Sequence, residues 1–145
     1  KETNLRASAS GSMPLGGNSG ITSGAGFNRG YERQDSSTLP TDSVAPIRFD
    51  EVTAFLRFRT GGSRIRLTTG LDVSNIEFTD ARVAATGLRI DQGYRDRTTL
   101  RGSARVETSF TGVVSGFVEG RYTDFNYIRS FQVPGLPNRD GSQYE

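Results

Sequence analysis

The sequence holds no cysteine and no histidine among its 145 residues. Without cysteine there is no disulfide framework and no thiolate metal site. Without histidine the chain lacks the usual general base and the commonest zinc ligand. A Ser-His-Asp triad is excluded within it. Apolar residues are scarce at 33%, with a mean hydropathy of −0.51, a thin supply for a water-soluble core. Prolines number only five, while nine Phe and five Tyr argue against a disordered linker. Nowhere do 18 apolar residues run together, so no transmembrane helix is encoded; a transmembrane strand would not need such a run. Lysine is almost missing too. Of 18 basic residues 17 are arginine, against 16 acids, for a net charge of +2. Arginine keeps its charge at any working pH and grips carboxylate or phosphate with a two-pronged fork.

Glycine is what the chain has in plenty, 18 residues in all. In "GITSGAGFNRGYERQD" (20–35), Gly24, Gly26 and Gly30 approach the dinucleotide-binding fingerprint. That motif wants its third glycine where Arg29 stands, and it must lead from a strand into a helix. Here Ile21, Ser23, Ala25, Phe27 and Tyr31 alternate with Thr22, Gly24, Gly26, Asn28 and Gly30. The period is two, not 3.6, so the stretch is a strand with its glycines on the polar face. Such glycines leave room for a neighbour's side chain or a kink.

The same period recurs along the chain. Leu5, Ala7, Ala9, Gly11 and Met13 oppose Asn4, Arg6, Ser8, Ser10 and Ser12. Val52, Ala54, Leu56 and Phe58 oppose Glu51, Thr53, Arg57 and Arg59, with Phe55 on the polar side. Ile65, Leu67, Thr69, Leu71 and Val73 oppose Arg66, Thr68, Gly70, Asp72 and Ser74. Near Asn75 the phase slips, as at a bulge or a strand end, because Ile76 and Phe78 fall on the polar parity. Thr98, Leu100, Gly102, Ala104 and Val106 oppose Arg97, Thr99, Arg101, Ser103, Arg105 and Glu107. Val114, Gly116, Val118, Gly120 and Tyr122 oppose Ser115, Phe117, Glu119, Arg121 and Thr123. A seventh strand begins near Gln143.

The connections alternate in length. "PLGGNSG", "TGGS" and "SFTG" are short; 34–48, 76–95 and 126–142 are long. Strands of about 9–13 residues, one face apolar and one polar, with long loops gathered at one end, predict an all-β fold. The pattern is that of an antiparallel up-and-down transmembrane β-barrel, lipid outside and water inside. A sandwich needs bulky residues to fill a core about 10 Å thick, and Leu5, Ala7, Ala9 and Gly11 are poor filling. Six complete strands and a partial seventh read as a segment of a larger barrel, with 1–145 lying in one barrel domain. Phe27, Tyr31, Phe78, Tyr94, Tyr122, Phe125, Tyr127 and Tyr144 fall near the long-loop ends, as an interfacial aromatic girdle would. Arg29, on the apolar parity, is expected at the rim beside Tyr31.

Three stretches carry a family resemblance: "DQGYRDRTTLRGSARVE" (91–107), "GFVEGRYTDFNY" (116–127) and "GLPNRDGSQYE" (135–145). They resemble the outer-membrane β-barrel porin family found with exopolysaccharide and capsule gene clusters of Gram-negative bacteria. The matching residues are Asp91, Tyr94, Arg95, Asp96 and Arg97, then Phe117, Val118, Glu119, Gly120 and Tyr122, then Asn138, Arg139 and Asp140. The chain departs from the pattern at Phe125-Asn126-Tyr127, where the family often has an acid before the tyrosine. The resemblance implies the cell outer membrane as location and an extracellular or capsular polysaccharide as cargo. It implies no catalytic residue.

The expected activity is that of a passive channel or secretion-associated porin. Lumen-lining, anion-binding residues are expected at Arg57, Arg59, Arg66, Arg97, Arg101, Arg105 and Arg121, with Arg6 on the same face. The opposing acids are Glu51, Asp72, Glu107 and Glu119. An excess of fixed positive charge suits acidic sugars or phosphate. The bland alternative is that these groups pair across strands and plug a narrow barrel. A second functional reading is a surface adhesin or polysaccharide-anchoring protein acting through its long loops. Outer-membrane lipid and acidic polysaccharide are the expected partners. Arginines and carboxylates mixed on one face do not make a nucleic-acid patch. "NRDGSQYE" (138–145) lacks the spacing of a calcium loop, and no metal or cofactor is expected; without histidine and without a base-activated nucleophile no enzymatic activity is expected either.

Overall fold

The computed structural model describes residues 3–32, 46–82, 86–110, 114–127 and 141–144. Six long strands run β1 (Leu5–Gly16), β2 (Ser19–Tyr31), β3 (Arg48–Gly61), β4 (Ile65–Phe78), β7 (Arg97–Ser109) and β8 (Ser115–Tyr127), each 12 to 14 residues. A shorter β9 spans Gly141–Tyr144. These seven form one antiparallel sheet in the order β1-β2-β3-β4-β7-β8-β9. Within the connection from β4 to β7, a two-residue ladder pairs β5 (Ala81–Arg82) with β6 (Arg89–Ile90), and a 3-10 turn covers Gly93–Arg95.

Every long strand pairs with its sequence neighbour, the topology of an up-and-down sheet. The register follows from the alternation, because residues directly opposite each other in an antiparallel pair share a face. Met13 pairs with Ile21, Ala25 with Ala54, Leu56 with Leu71, Leu67 with Val106, and Val106 with Val118. On the other face Thr22 meets Arg57, Thr53 meets Ser74, and Arg105 meets Glu119. The first hairpin closes through Gly17 at φ 57°, a left-handed conformation that an L side chain resists.

Several strand limits differ from the sequence reading. β1 runs on to Gly16, and its one register shift lies between Pro14 and Gly16, beside the turn. No bulge occurs near Asn75. Ile76 pairs in continuous register with Glu51 and Arg97, so the expected loop 76–95 begins only after Phe78. Asn126 and Tyr127 belong to β8, and β9 starts at Gly141 rather than Gln143. Of the other expected loops, 33–45 and 128–140 lie outside the described residues.

No soluble core exists among the described residues. Buried apolar side chains are confined to Ile47 and Ala81, both at the long-connection end. Leu5, Met13, Val52, Leu56, Leu71, Val106 and Val118 stand exposed on one face. An apolar surface of that extent requires a non-aqueous partner. Toward the long connections this face turns polar: Arg29 meets Asp50, Asp50 meets Glu77, and Thr98 meets both Asn75 and Asn126. Strands of 12–14 residues thus exceed the 9–11 or so that cross hydrocarbon, and the surplus is wetted on both sides.

Spin labels give a direct check of facing. Labels at Leu71, Val106 and Val118 are expected to be quenched by lipid-soluble reagents, and labels at Thr68 and Ser103 by water-soluble ones. The reverse pattern would put the register one residue off, since a single slip exchanges the faces.

Candidate functional site

All seven arginines expected on the polar face lie there: Arg57 and Arg59 on β3, Arg66 on β4, Arg97, Arg101 and Arg105 on β7, and Arg121 on β8. They fall into two groups. Arg57 donates to Asp72 at 2.7 Å. Arg66 donates to Glu107 at 3.3 Å. Arg105 lies 2.8 Å from Glu107 and 3.4 Å from Glu119, and Arg121 donates to Glu119 at 2.9 Å. Arg66, Glu107, Arg105, Glu119 and Arg121 therefore form one chain of alternating charge across three strands. These side chains are roughly a third to two-fifths exposed, so each pair stabilises by about 1 kcal/mol or less. Arg59, Arg97 and Arg101 have no carboxylate partner among the described residues. Asp72 stands opposite Arg101 in the register, yet its carboxylate turns to Arg57.

Rings line this face as well. The Arg57 guanidinium lies 5.4 Å from the Phe55 ring and that of Arg105 lies 3.9 Å from Phe117. Cation and ring faces attract each other there. Room for Phe55 comes from β2: a Cβ placed on Gly24 would meet the Phe55 ring at 2.6 Å. The same holds at Gly30, where a Cβ would meet Phe49 at 2.5 Å. Two of the three glycines of the near-fingerprint, Gly24 and Gly30, are thus seats for rings of the next strand.

At the long-connection end the segment 91–96 folds onto the sheet. Arg95 grips the Glu32 carboxylate with both terminal nitrogens, one of them at 2.8 Å. Its guanidinium also lies 4.0 Å over the Phe78 ring, which packs 6.0 Å from Phe49. Asp96 accepts the Phe78 backbone N–H at 2.7 Å, and Asp91 accepts that of Gly93 at 2.7 Å. Hydrogen bonding to Glu32 holds the Arg95 pKa above its ordinary value, against the opposing effect of burial. The residues "DQGYRDR" therefore form a latch tying the β4–β7 connection to the rim of β2–β4. This role is not legible in the sequence. Glu32 and Arg95 are 63 residues apart, and only the arginine flanked by Tyr94 and Asp96 hinted at it.

Glu32→Gln is expected to loosen the latch by about 1.5–3 kcal/mol, the range for hydrogen bonds to charged groups. Amide hydrogen exchange over 91–96 should accelerate while the centres of β7 and β8 keep their protection. Uniform acceleration across the sheet would make Glu32 a general stability residue instead.

One expectation about the rim needs correction. The aromatics near the long-connection ends do not form one outward girdle. Phe27, Tyr31, Tyr122 and Tyr144 lie on the apolar face, where Tyr122 and Tyr144 sit 5.1 Å apart. Phe78, Phe125 and Tyr127 lie on the polar face, and Tyr94 belongs to the 3-10 turn. Arg29 does lie at the rim, but it is fixed by Asp50, to which it donates twice at 2.7 and 2.9 Å. Its neutralisation on the apolar face comes from β3.

Among the described residues no three carboxylates gather as a metal site would require. Long antiparallel strands in sequence order, an exposed apolar face and a charged opposite face define the wall of a transmembrane β-barrel. The short and long connections alternate as that architecture demands. The chain belongs to the family described as putative beta-barrel porin 2, whose model matches residues 1–145. No curated protein and no solved structure matches it.

Proposed function

We propose that this barrel is a passive, anion-preferring channel in the outer membrane of a Gram-negative bacterium, carrying acidic extracellular or capsular polysaccharide or comparable anionic solutes. One observation carries the anion preference. On the polar face Arg57, Arg66, Arg105 and Arg121 are matched by carboxylates, while Arg59, Arg97 and Arg101 have no carboxylate partner among the described residues. Unmatched fixed charge in a confined passage concentrates counter-ions of the opposite sign. The outer-membrane location accords with membership of a porin family and with the apolar face, which lipid would cover. The polysaccharide rests on the resemblance of residues 91–107, 116–127 and 135–145. No bond is made or broken in this reading, and the side chains act by charge and shape alone.

The test is reconstitution of the full-length protein in a planar bilayer under a salt gradient. An anion-selective reversal potential is expected, together with current block by acidic but not neutral oligosaccharides. A protein that inserts but does not conduct would be a plugged wall, and the loops would then become the acting surface.

A further inference from the structure

At the tight-turn end of the polar face, the β3–β4 turn with β4, β7 and β8 forms an open-sided pocket of about 150 Å³. Arg64, Arg66, Arg105, Glu107 and Phe117 line it. Three guanidinium groups thus share the lining with one carboxylate: Glu107 is divided between Arg66 and Arg105, and Arg105 also reaches Glu119, which Arg121 shares. Each guanidinium carries five N–H donors, more in total than Glu107 and a shared Glu119 can accept. The Arg64 guanidinium has no ion-pair partner among the described residues, and Nε of Arg105 is buried without any hydrogen bond. The cavity therefore holds an excess of donors suited to an oxyanion.

Phe117 adds a second requirement. Its ring is 60% exposed although it projects from the polar face. Arg105 holds one position over that ring, and much of its remaining apolar surface is exposed among the described residues. Ser109 and Ser115 also line the cavity, supplying hydroxyls on either side of the β7–β8 turn. A ligand that uses all three features carries an oxyanion, a flat C–H surface and hydroxyl groups. A cavity of about 150 Å³ takes up a single six-membered ring. We propose that this cavity is a binding site for one carboxylated sugar residue at the tight-turn mouth of the barrel. The site deepens the channel reading by naming a ligand class, but its binding is measurable without any conductance.

The experiment is calorimetric titration of the full-length protein in detergent micelles. The probes are glucuronate, glucose as its neutral counterpart, and inorganic phosphate as an anion without a ring. Glucuronate is expected to bind at least about tenfold more tightly than either of the others, the loss typical when one charge-assisted contact is removed. Phe117→Ser and Arg66→Gln should each weaken glucuronate by about tenfold as well, while Ser8→Ala, on the polar face of β1, should not. Heat-modifiable gel migration confirms that each variant is folded. Phe117, being exposed, keeps the test open should Arg66→Gln misfold. Equal affinity for phosphate, binding indifferent to Phe117→Ser, or no glucuronate binding would each overturn the site. Binding without conductance would overturn the channel and leave the site standing; conductance without binding would do the opposite.

Discussion

Val118→Arg is expected to abolish assembly into lipid vesicles, while Thr99→Arg is expected to assemble normally. Val118 is 77% exposed and lies on the apolar face opposite Val106. It sits midway along the apolar stretch of β8, between Gly116 and Tyr122. An arginine placed toward lipid at the midplane costs roughly 2–4 kcal/mol. Thr99 faces the other way, between Ser74 and Phe125, where water and arginines already are. The measurement is the fraction of refolded protein showing heat-modifiable migration after addition of vesicles. A water-soluble sheet predicts the opposite ranking, because Val118→Arg would then replace an exposed apolar side chain with a solvated one. Equal assembly of the two variants would remove the sheet from the membrane.

The second large effect is expected from Arg97→Glu combined with Arg101→Glu. The strands carry eight arginines on the polar face, Arg6 included, against Glu51, Asp72, Glu107 and Glu119. The double reversal makes that six against six. Arg97 and Arg101 are about 13 Å apart along one strand, and neither is engaged by a carboxylate among the described residues. Reversing them leaves the chain from Arg66 to Arg121 intact, so the wall should survive the change. The reversal potential in a salt gradient should move from anion preference to near neutrality. The difference from the parent protein should shrink in 1 M salt, where the screening length falls to about 3 Å. A potential that stays where it was would mean that ions do not pass along this wall.

Much of the wall was legible in the sequence, and for one reason. Each face of the sheet meets a different solvent, so residue type alternates wherever both solvents are present. That is why Leu67, Val106 and Val118 could be aligned from parity and turn length alone. The same reasoning failed where the solvents stop differing. At the rim both faces are wet, and a small cluster packs on the polar side. Ile76 and Phe78 therefore looked like a change of phase, although the strand continues straight through them. Phe125 and Tyr127 were misassigned to an outward girdle on the same ground. Arg29 and Asp50 both fell on apolar parity in neighbouring strands, and this shared oddity was a signal that could have paired them. Glu32 and Arg95 gave no such signal, since a contact across 63 residues between a strand end and a connection has no periodicity. The division of the arginines into matched and unmatched was also illegible. Asp72 could serve Arg57 or Arg101 by register, and side-chain geometry alone chose Arg57.

The glycines of β2 bear on how wide the passage can be. A side chain standing upright from a lumen wall takes its full length out of the bore, whereas one lying flat takes only its thickness. Phe55 lies where a Cβ on Gly24 would be, and Phe49 lies where a Cβ on Gly30 would be. The bare backbone of β2 lets its neighbour's rings recline against the wall. The free cross-section is in this way set by residues that have no side chain. An alanine at Gly24 would push the Phe55 ring toward the axis and narrow the bore there without adding a charge.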